Sequence, residues 1–116
     1  MPDRDSDRQV LAAMASHGAD LRKPAHTIHY LYFKSMGAAE AAGNELRAAG
    51  YTNVRTHRAP SPSLWKRLFG PKEFSCIAET HAVPDESSVF ATTERMSRLA
   101  VKHGGIYDGW EASIEK

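Results

Sequence analysis

Apolar residues recur along this chain with two periods: every three or four residues in some stretches and every second residue in others. The first period is typical of amphipathic helices, and the second is typical of strands with one face toward a core. Together they predict three helices and four strands. In chain order these are a helix over 5–17, a strand over 26–33, a helix over 36–49, a strand over 51–57, a strand over 74–83, a helix over 86–103 and a strand over 106–114.

Polar and glycine residues mark the predicted helix ends. Ser35 and Asp85 stand where a side-chain oxygen can cap the second and third helices, and Asp5 or Ser6 can cap the first. Glycine adopts the left-handed backbone conformation at a helix end without steric cost. The predicted stop signals are Gly18, Gly50, Gly104 and Gly105.

The order of elements is α-β-α-β-β-α-β. Without the first helix it is βαββαβ, the ferredoxin-like plan, in which two helices cover one face of a four-stranded antiparallel sheet. The predicted class is therefore α+β, a ferredoxin-like sandwich variant with an extra N-terminal helix, which would lie on the sheet's open face or at its edge. The first strand is apolar on both faces, which predicts a central strand covered on both sides. The second strand is more polar, which predicts an exposed strand.

Length and composition indicate a soluble globular protein of one domain. The chain has 116 residues, of which 41% are hydrophobic and 25% charged, as is usual for a single domain. We expect residues 1–4 to be disordered and residues 5–116 to form the domain. The formal net charge of +1 lacks the basic excess that gives phosphate-backbone binders most of their affinity, so direct nucleic-acid binding is not expected.

The cysteine content, the N-terminus and the lengths of the apolar runs indicate the cellular compartment. Cys76 is the one cysteine, which excludes an internal disulfide and fits a reducing cytoplasm. The charged N-terminus lacks the apolar core of a signal peptide. No apolar run approaches the roughly 20 residues of a membrane helix. We therefore expect a cytoplasmic protein without membrane contact.

The stretch over 58–73 interrupts the regular pattern. Three prolines deny it ordinary helix or strand structure throughout. Connections of this length are often functional or mobile. Its large apolar residues must fold back on the domain or face a partner; they are Leu64, Trp65, Leu68 and Phe69.

Metal-binding patterns are weak in this sequence. His26 and His29 stand on opposite faces of the first strand. His57 and His81 stand on candidate neighbouring strands and could meet. No compact Cys/His spacing of a zinc site is present, so the sequence predicts no metal and no cofactor.

Catalytic patterns are equally weak. Cys76 lies in an apolar strand, where a thiol is usually an inert packing group. Glu79, Asp108 and Glu111 could form carboxylate pairs, but without geometry such pairs resemble ordinary surface charge. No nucleophile, base and orienting group form a recognisable set. The sequence therefore predicts a protein that is not an enzyme and has no catalytic residues.

Aromatic residues give the most informative functional pattern. Tyr30 and Tyr32 share one face of the first strand, and the last strand adds Tyr107 or Trp110. Such rings could stack RNA bases, as in a sheet of the RRM type. The sequence lacks the matching glycine-aromatic run and a basic surface, which favours packing of the rings under the first helix. Candidate partner-binding residues, including those of the long connection, are Tyr30, Tyr32, Trp65, Phe69, Tyr107 and Trp110.

The last strand contains an unexplained polar residue. Strict alternation places Ile106, Asp108, Trp110 and Ala112 on one face. Asp108 beside an apolar tryptophan then needs a donor such as Arg22 or a backbone amide. The alternative is a bulge at Gly109 that turns the carboxylate outward.

Five runs of the chain together resemble a known family. They are residues 7–11, residues 18–24, residues 28–33, residues 38–42 with Leu46 and Gly50-Tyr51, and residues 103–111. The family is RraB, protein regulators that inhibit ribonuclease E, and the likeness covers most of 7–113 outside the long connection. The residues that mark the resemblance in combination are Asp20, Lys23, Pro24, His29, Gly104, Gly105, Asp108 and Gly109.

The resemblance implies a variant of the ferredoxin-like fold and a function without catalysis. A member of this family would bind an RNase E-type endoribonuclease and reduce RNA cleavage. Two alternatives stay open: an RNA-binding module that uses the sheet aromatics, and a small-molecule-binding domain whose pocket holds His29, Glu79 and Asp108. We expect a monomer, or a weak homodimer formed through the second strand.

Overall fold

The structure, a computed structural model, describes residues 4–58 and 74–114. Within these residues the elements are α1 (Arg4–Ser16), β1 (Ala25–Phe33), α2 (Met36–Ala48), β2 (Thr52–Arg58), β3 (Phe74–Ala82), α3 (Glu86–Lys102) and β4 (Ile106–Ala112). All seven predicted elements are confirmed. Arg4 already belongs to α1, while residues 1–3 of the predicted disordered N-terminus lie outside the described residues, as does most of the long connection.

The strands form one four-stranded sheet with the order β2-β3-β1-β4, and every neighbouring pair is antiparallel. The class is therefore α+β, with three helices among the described residues and a helix before the first strand. The central position of β1 is confirmed, as is the predicted exposure of β2, which is an edge strand. No described helix is both long and apolar enough to cross a membrane.

The main core lies between one face of the sheet and the helices α2 and α3. Alternate residues of β1 are buried, beginning with Ala25, and the residues between them are half-buried. The predicted covering of β1 on both sides is therefore wrong for the described helices, which pack on one face. The buried apolar residues of this core are Leu31, Phe33, Ala39, Ala42, Leu46, Cys76, Ala78, Met96 and Ala100.

Helix α1 packs on this same covered side. Its Leu11 and Met14 are buried against Ala25, with Val89 and Trp110 packed beside them. The open face of the sheet is therefore not its place, and α1 instead lies beside α3 and reaches a residue of edge strand β4. Both Leu11 and Met14 belong to the apolar stripe that predicted the helix.

The predicted cap of α1 at Asp5 or Ser6 is wrong, because both residues already lie within the helix. The other helix ends follow the predicted chemistry. The side chains of Ser35 and Asp85 accept hydrogen bonds from the backbone N–H groups three residues on, those of Ala38 and Ser88. Each helix ends in the same pair of backbone hydrogen bonds around a glycine, the Schellman motif. The motif glycines are Gly18, Gly50 and Gly104, and each has a positive φ.

A bulge in β4 changes which side chains face the core. Gly109 lies opposite Tyr30 and Tyr107 lies opposite Leu31, so Asp108 has no residue opposite it. The backbone at Gly109 has φ 122°, a conformation that glycine adopts freely. The strict alternation predicted for this strand is therefore wrong, and the bulge alternative is confirmed. Asp108 is exposed.

Candidate protein-binding surface

The sheet face away from the described helices is called the open face here. It carries side chains from all four strands: His26, Ile28, Tyr30 and Tyr32 of β1, Arg55 of β2, Ile77 and Glu79 of β3, and Ile106 and Glu111 of β4. The face therefore combines an aromatic and aliphatic centre with charged residues of both signs. That composition, apolar within and polar at the rim, is typical of protein interfaces.

Glu79 joins three strands of the open face. Its two carboxylate oxygens lie 2.5 Å from Arg55 Nη1, 2.5 Å from His26 Nε2 and 2.5 Å from Asn53 Nδ2. The hydrogen bonds from Arg55, His26 and Asn53 lower the pKa of this carboxyl below its usual range. The His26 ring stacks on His81, with 5.0 Å between centroids. Because the cluster pairs the Glu79 carboxylate with the Arg55 guanidinium, it gives the face no basic excess.

Tyr30 and Tyr32 lie side by side at the centre of the open face, each half-buried. The Tyr30 hydroxyl donates a hydrogen bond of 2.5 Å to Glu111 Oε1. This bond raises the pKa of Tyr30 to about 12, so the phenol is neutral at physiological pH. Two partly exposed tyrosines next to aliphatic side chains are the kind of anchor that dominates many protein contacts.

The other predicted aromatics lie elsewhere. Tyr107 and Trp110 stand on the covered face, where the bulge turns both rings toward the helices. Trp65 and Phe69 lie outside the described residues. The predicted packing of rings under the first helix is confirmed for Trp110 and is wrong for Tyr30 and Tyr32, because α1 occupies the opposite side of the sheet.

Asp7, in the N-terminal part of α1, is a buried carboxylate. It is 5% exposed, and it accepts hydrogen bonds from Trp110 Nε1 at 3.0 Å and from Thr93 Oγ1 at 2.7 Å. These contacts tie α1 to both α3 and β4. The signal was present in the sequence, since Asp7, Leu11 and Met14 share one stripe of the helix at spacings of four and three.

The residues of the turn before β1 have structural roles. Asp20 Oδ1 accepts hydrogen bonds of 3.0 Å from both the backbone and the side chain of Arg22. These bonds lower the pKa of Asp20. The Lys23 amide donates to the Asp20 carbonyl oxygen at 3.1 Å, and Pro24 then leads into the strand. The Arg22 side chain is therefore bonded to Asp20, and of the alternatives left open for Asp108 the structure shows the bulge and not a pairing with Arg22.

The described residues offer no arrangement for metal chemistry. No group of three or more His, Cys, Asp or Glu side chains in 4–58 and 74–114 is placed to hold a metal ion. His57 and His81, which could have met on neighbouring strands, do not: His57 lies opposite Ser75, and His81 stacks on His26. Cys76 is fully buried, and burial raises its pKa to about 11, as expected of a packing thiol.

His29 is the buried polar residue at the centre of the covered face. It is 2% exposed, and its Nδ1 lies 3.0 Å from the Tyr107 hydroxyl oxygen. Its Nε2 has no hydrogen-bond partner among the described residues. Burial lowers the pKa of His29 to about 4, so the ring is neutral at physiological pH.

This burial predicts a pH-dependent stability. Between pH 7 and pH 5 the free energy of unfolding should fall by about 2 kcal/mol through His29 alone. The unfolded imidazole gains a proton near its ordinary pKa of 6.5, whereas the folded one stays neutral until about 4. The unfolded state therefore binds more protons in this window. Urea denaturation at pH 7, 6 and 5 measures the change.

Two variants isolate that contribution. His29→Asn should remove this part of the pH dependence, while His57→Asn, at an exposed position of β2, should keep it. An undiminished loss of stability in His29→Asn would show that another group causes it.

The geometry defines a small α+β domain whose open sheet face carries two tyrosines bordered by charged residues. Comparison with protein families then gives the identification. The chain belongs to the RraB family, whose description is regulator of ribonuclease activity B and whose family model matches residues 4–112. A search of curated proteins finds no match.

Proposed function

We propose that this protein is a non-catalytic regulator that binds an RNase E-type endoribonuclease and reduces its cleavage of RNA. The observation that carries the proposal is the family match over residues 4–112, which spans nearly the whole chain. We further propose that residues 5–116 act as one domain in the cytoplasm, without a cofactor, as a monomer or weak homodimer. Inhibition would be steric or allosteric, since it needs no chemistry from the regulator.

The open face is our proposed contact surface for the ribonuclease. Tyr30 and Tyr32 would be its anchors, and the Glu79 cluster with Glu111 would form its polar rim. Burial of a ring at an interface removes large apolar area from water, while the polar rim gives orientation. Trp65 and Phe69 are proposed as a second contact on the long connection. Tyr107 and Trp110 would support binding indirectly by holding β4 in place.

The first test is a substitution in the open face. Tyr32→Ala should weaken binding to a purified RNase E-type endoribonuclease by at least about tenfold, because central aromatic residues commonly dominate interfaces. Isothermal titration calorimetry measures the dissociation constant, and cleavage of a labelled RNA measures inhibition. The dissociation constant should rise and the inhibition of RNA cleavage should weaken together.

Matched variants make this result specific. Val101→Ala removes an exposed apolar side chain, 69% accessible, from the helix layer, and it should leave binding unchanged. Circular dichroism of each variant checks the fold. Equal affinity of Tyr32→Ala and the unmodified protein would remove the open face from the proposal, and an unaffected Trp65→Ala, Phe69→Ala double variant would remove the loop contact.

An RNA titration distinguishes the RNA-binding alternative from the proposed ribonuclease regulator. Glu79 and Glu111 place two carboxylates on the open face, and Arg55 is paired with Glu79, so the face lacks the basic excess that RNA binding requires. Titration with single-stranded RNA at low salt should show no binding. Steep, salt-dependent binding that Tyr32→Ala abolishes would favour the RNA module over the ribonuclease regulator.

We also infer that the domain is a ferredoxin-like variant. Support comes from the strand order β2-β3-β1-β4, in which the first and third strands are central, and from the placement of α2 and α3 on one face. The additional α1 is the departure from that plan.

A further inference from the structure

A pocket of about 190 Å³ lies on the covered side of the sheet, away from the open face. It is bounded by the N-terminal half of α3, the turn after α2 and the strands beneath. Tyr51, Val89 and Trp110 give it aromatic and aliphatic walls, and Thr92 and Arg95 of α3 add polar groups. His29 lines it too.

His29 gives this pocket a hydrogen-bonding group without a protein partner. Nδ1 is engaged by Tyr107, and Nε2 is buried with no donor or acceptor from the described residues. Burial of a polar atom without a hydrogen bond is unfavourable. The Tyr51 ring meets the imidazole edge-on, with 5.9 Å between centroids. A ligand that bonds Nε2 would supply the hydrogen bond that no described residue supplies.

The bond between His29 and Tyr107 limits what such a ligand must offer. If the tyrosine hydroxyl donates to Nδ1, Nε2 carries the proton and can donate; if Nδ1 donates to the tyrosine oxygen, Nε2 can accept. A hydroxyl group can both donate and accept. It therefore satisfies Nε2 in either tautomer, which a purely accepting or purely donating group cannot do.

The size and walls of the pocket define the rest of the ligand. Benzene occupies an engineered cavity of about 150 Å³, so a volume near 190 Å³ holds one ring with a small substituent. Drug-sized ligands and nucleotides need about 300 Å³ or more. The Tyr51 and Trp110 rings favour an aromatic guest through edge-to-face and stacked contacts. Of the three polar residues expected to converge in a pocket, His29 lines this one, whereas Glu79 and Asp108 do not.

We propose that this pocket binds a small hydroxylated aromatic molecule of the phenol class, with its ring between Tyr51, Val89 and Trp110 and its hydroxyl group on His29 Nε2. The site is separate from the open face, so the proposal does not depend on ribonuclease binding. Occupancy would stabilise the packing of α3 on the sheet.

The probe is phenol, and the matched control compound is toluene, which has the same ring and a methyl group in place of the hydroxyl. Titration of the isotope-labelled full chain followed by NMR should show saturable shifts with phenol at the pocket residues and at the His29 ring nitrogens. Toluene should bind at least about tenfold more weakly, the factor that one hydrogen bond of about 1.4 kcal/mol supplies.

Two variants on α3 complete the test. Thr92→Phe fills the pocket from its wall and should abolish the phenol shifts, whereas Ala91→Phe, at an exposed neighbouring position outside the pocket, should leave them. Both variants should keep the circular dichroism spectrum of the unmodified chain. Absence of saturable shifts with phenol, equal affinity for toluene, or persistent binding by a folded Thr92→Phe variant would each overturn the proposal.

Discussion

Replacing Gly105 with alanine should lower the free energy of unfolding by about 3 kcal/mol, near the upper end for an overpacked site. A Cβ at this position would lie 2.2 Å from the Tyr32 carbonyl oxygen and 2.4 Å from Phe33 Cδ1. Phe33 is fully buried, and the carbonyl belongs to the central strand, so neither can move cheaply. Urea denaturation followed by circular dichroism measures the loss.

The site matters because Gly105 joins the end of α3 to β4. Its amide donates a hydrogen bond of 2.7 Å to the Ala100 carbonyl oxygen, which completes the Schellman motif. The chain then turns directly over β1. A larger residue would push β4 away from the sheet that it borders.

Two alanine substitutions serve as controls. Gly104→Ala meets no atom within 4 Å but has φ 75°, so it should cost about 1 kcal/mol from the left-handed backbone alone. Gly37→Ala, in the first turn of α2 and equally free of contacts, should be neutral or slightly stabilising. If Gly105→Ala lowered the free energy of unfolding no more than Gly104→Ala does, that result would contradict the close approach of residue 105 to β1.

Replacing Asp7 with alanine should also lower the free energy of unfolding by about 3 kcal/mol, because buried hydrogen bonds to a charged group contribute about 1.5–3 kcal/mol each. Trp110 Nε1 would lose its acceptor at 3.0 Å. Thr93 is affected less, since its hydroxyl also lies 3.3 Å from the Phe90 carbonyl oxygen. Asp7→Asn keeps one acceptor and should cost about half as much.

A double-mutant cycle assigns the effect to the tryptophan. In a Trp110→Phe background the indole N–H is absent, so Asp7→Ala should cost at least about 1 kcal/mol less than in the unmodified chain. Asp5→Asn is the matched control on the same helix. Its carboxylate is 81% exposed and its ion pair with Arg8 is long, at 3.5 Å, so the change should stay within about 0.5 kcal/mol. If the losses in free energy of unfolding from Asp7→Ala and Trp110→Phe were additive, that result would contradict the Asp7–Trp110 contact.

The elements of this fold were predictable because their signals are local. Ser35 and Asp85 cap helices through bonds to amides three residues away. The glycine stops act within the last turn of each helix. The alternation in β1 also identified the two faces of that strand, including the separation of His26 from His29. The candidate site was predictable to the extent that Tyr30 and Tyr32 share one of those faces.

The rest of the site depended on contacts between distant parts of the chain. Trp110 meets Asp7 across 103 positions, and Tyr107 meets His29 across 78. Neither pairing has a local signal. Asp108 is an extra, unpaired residue in β4. Because side chains alternate with a period of two, it shifts the alternation, so that Tyr107 and Trp110 lie on the same face of the sheet.

The sequence by itself determined the three helices and four strands of the described residues, the central place of β1 and the family resemblance in the turns, because periodicity, capping and turn chemistry act over a few residues. Only the tertiary structure decided that α1 packs beside α3, that Tyr107 and Trp110 face the core, and that Tyr30 and Tyr32 share a face with the Glu79 cluster. Those outcomes depend on register and on long-range packing, where a shift of one residue moves a side chain to the other side of the sheet.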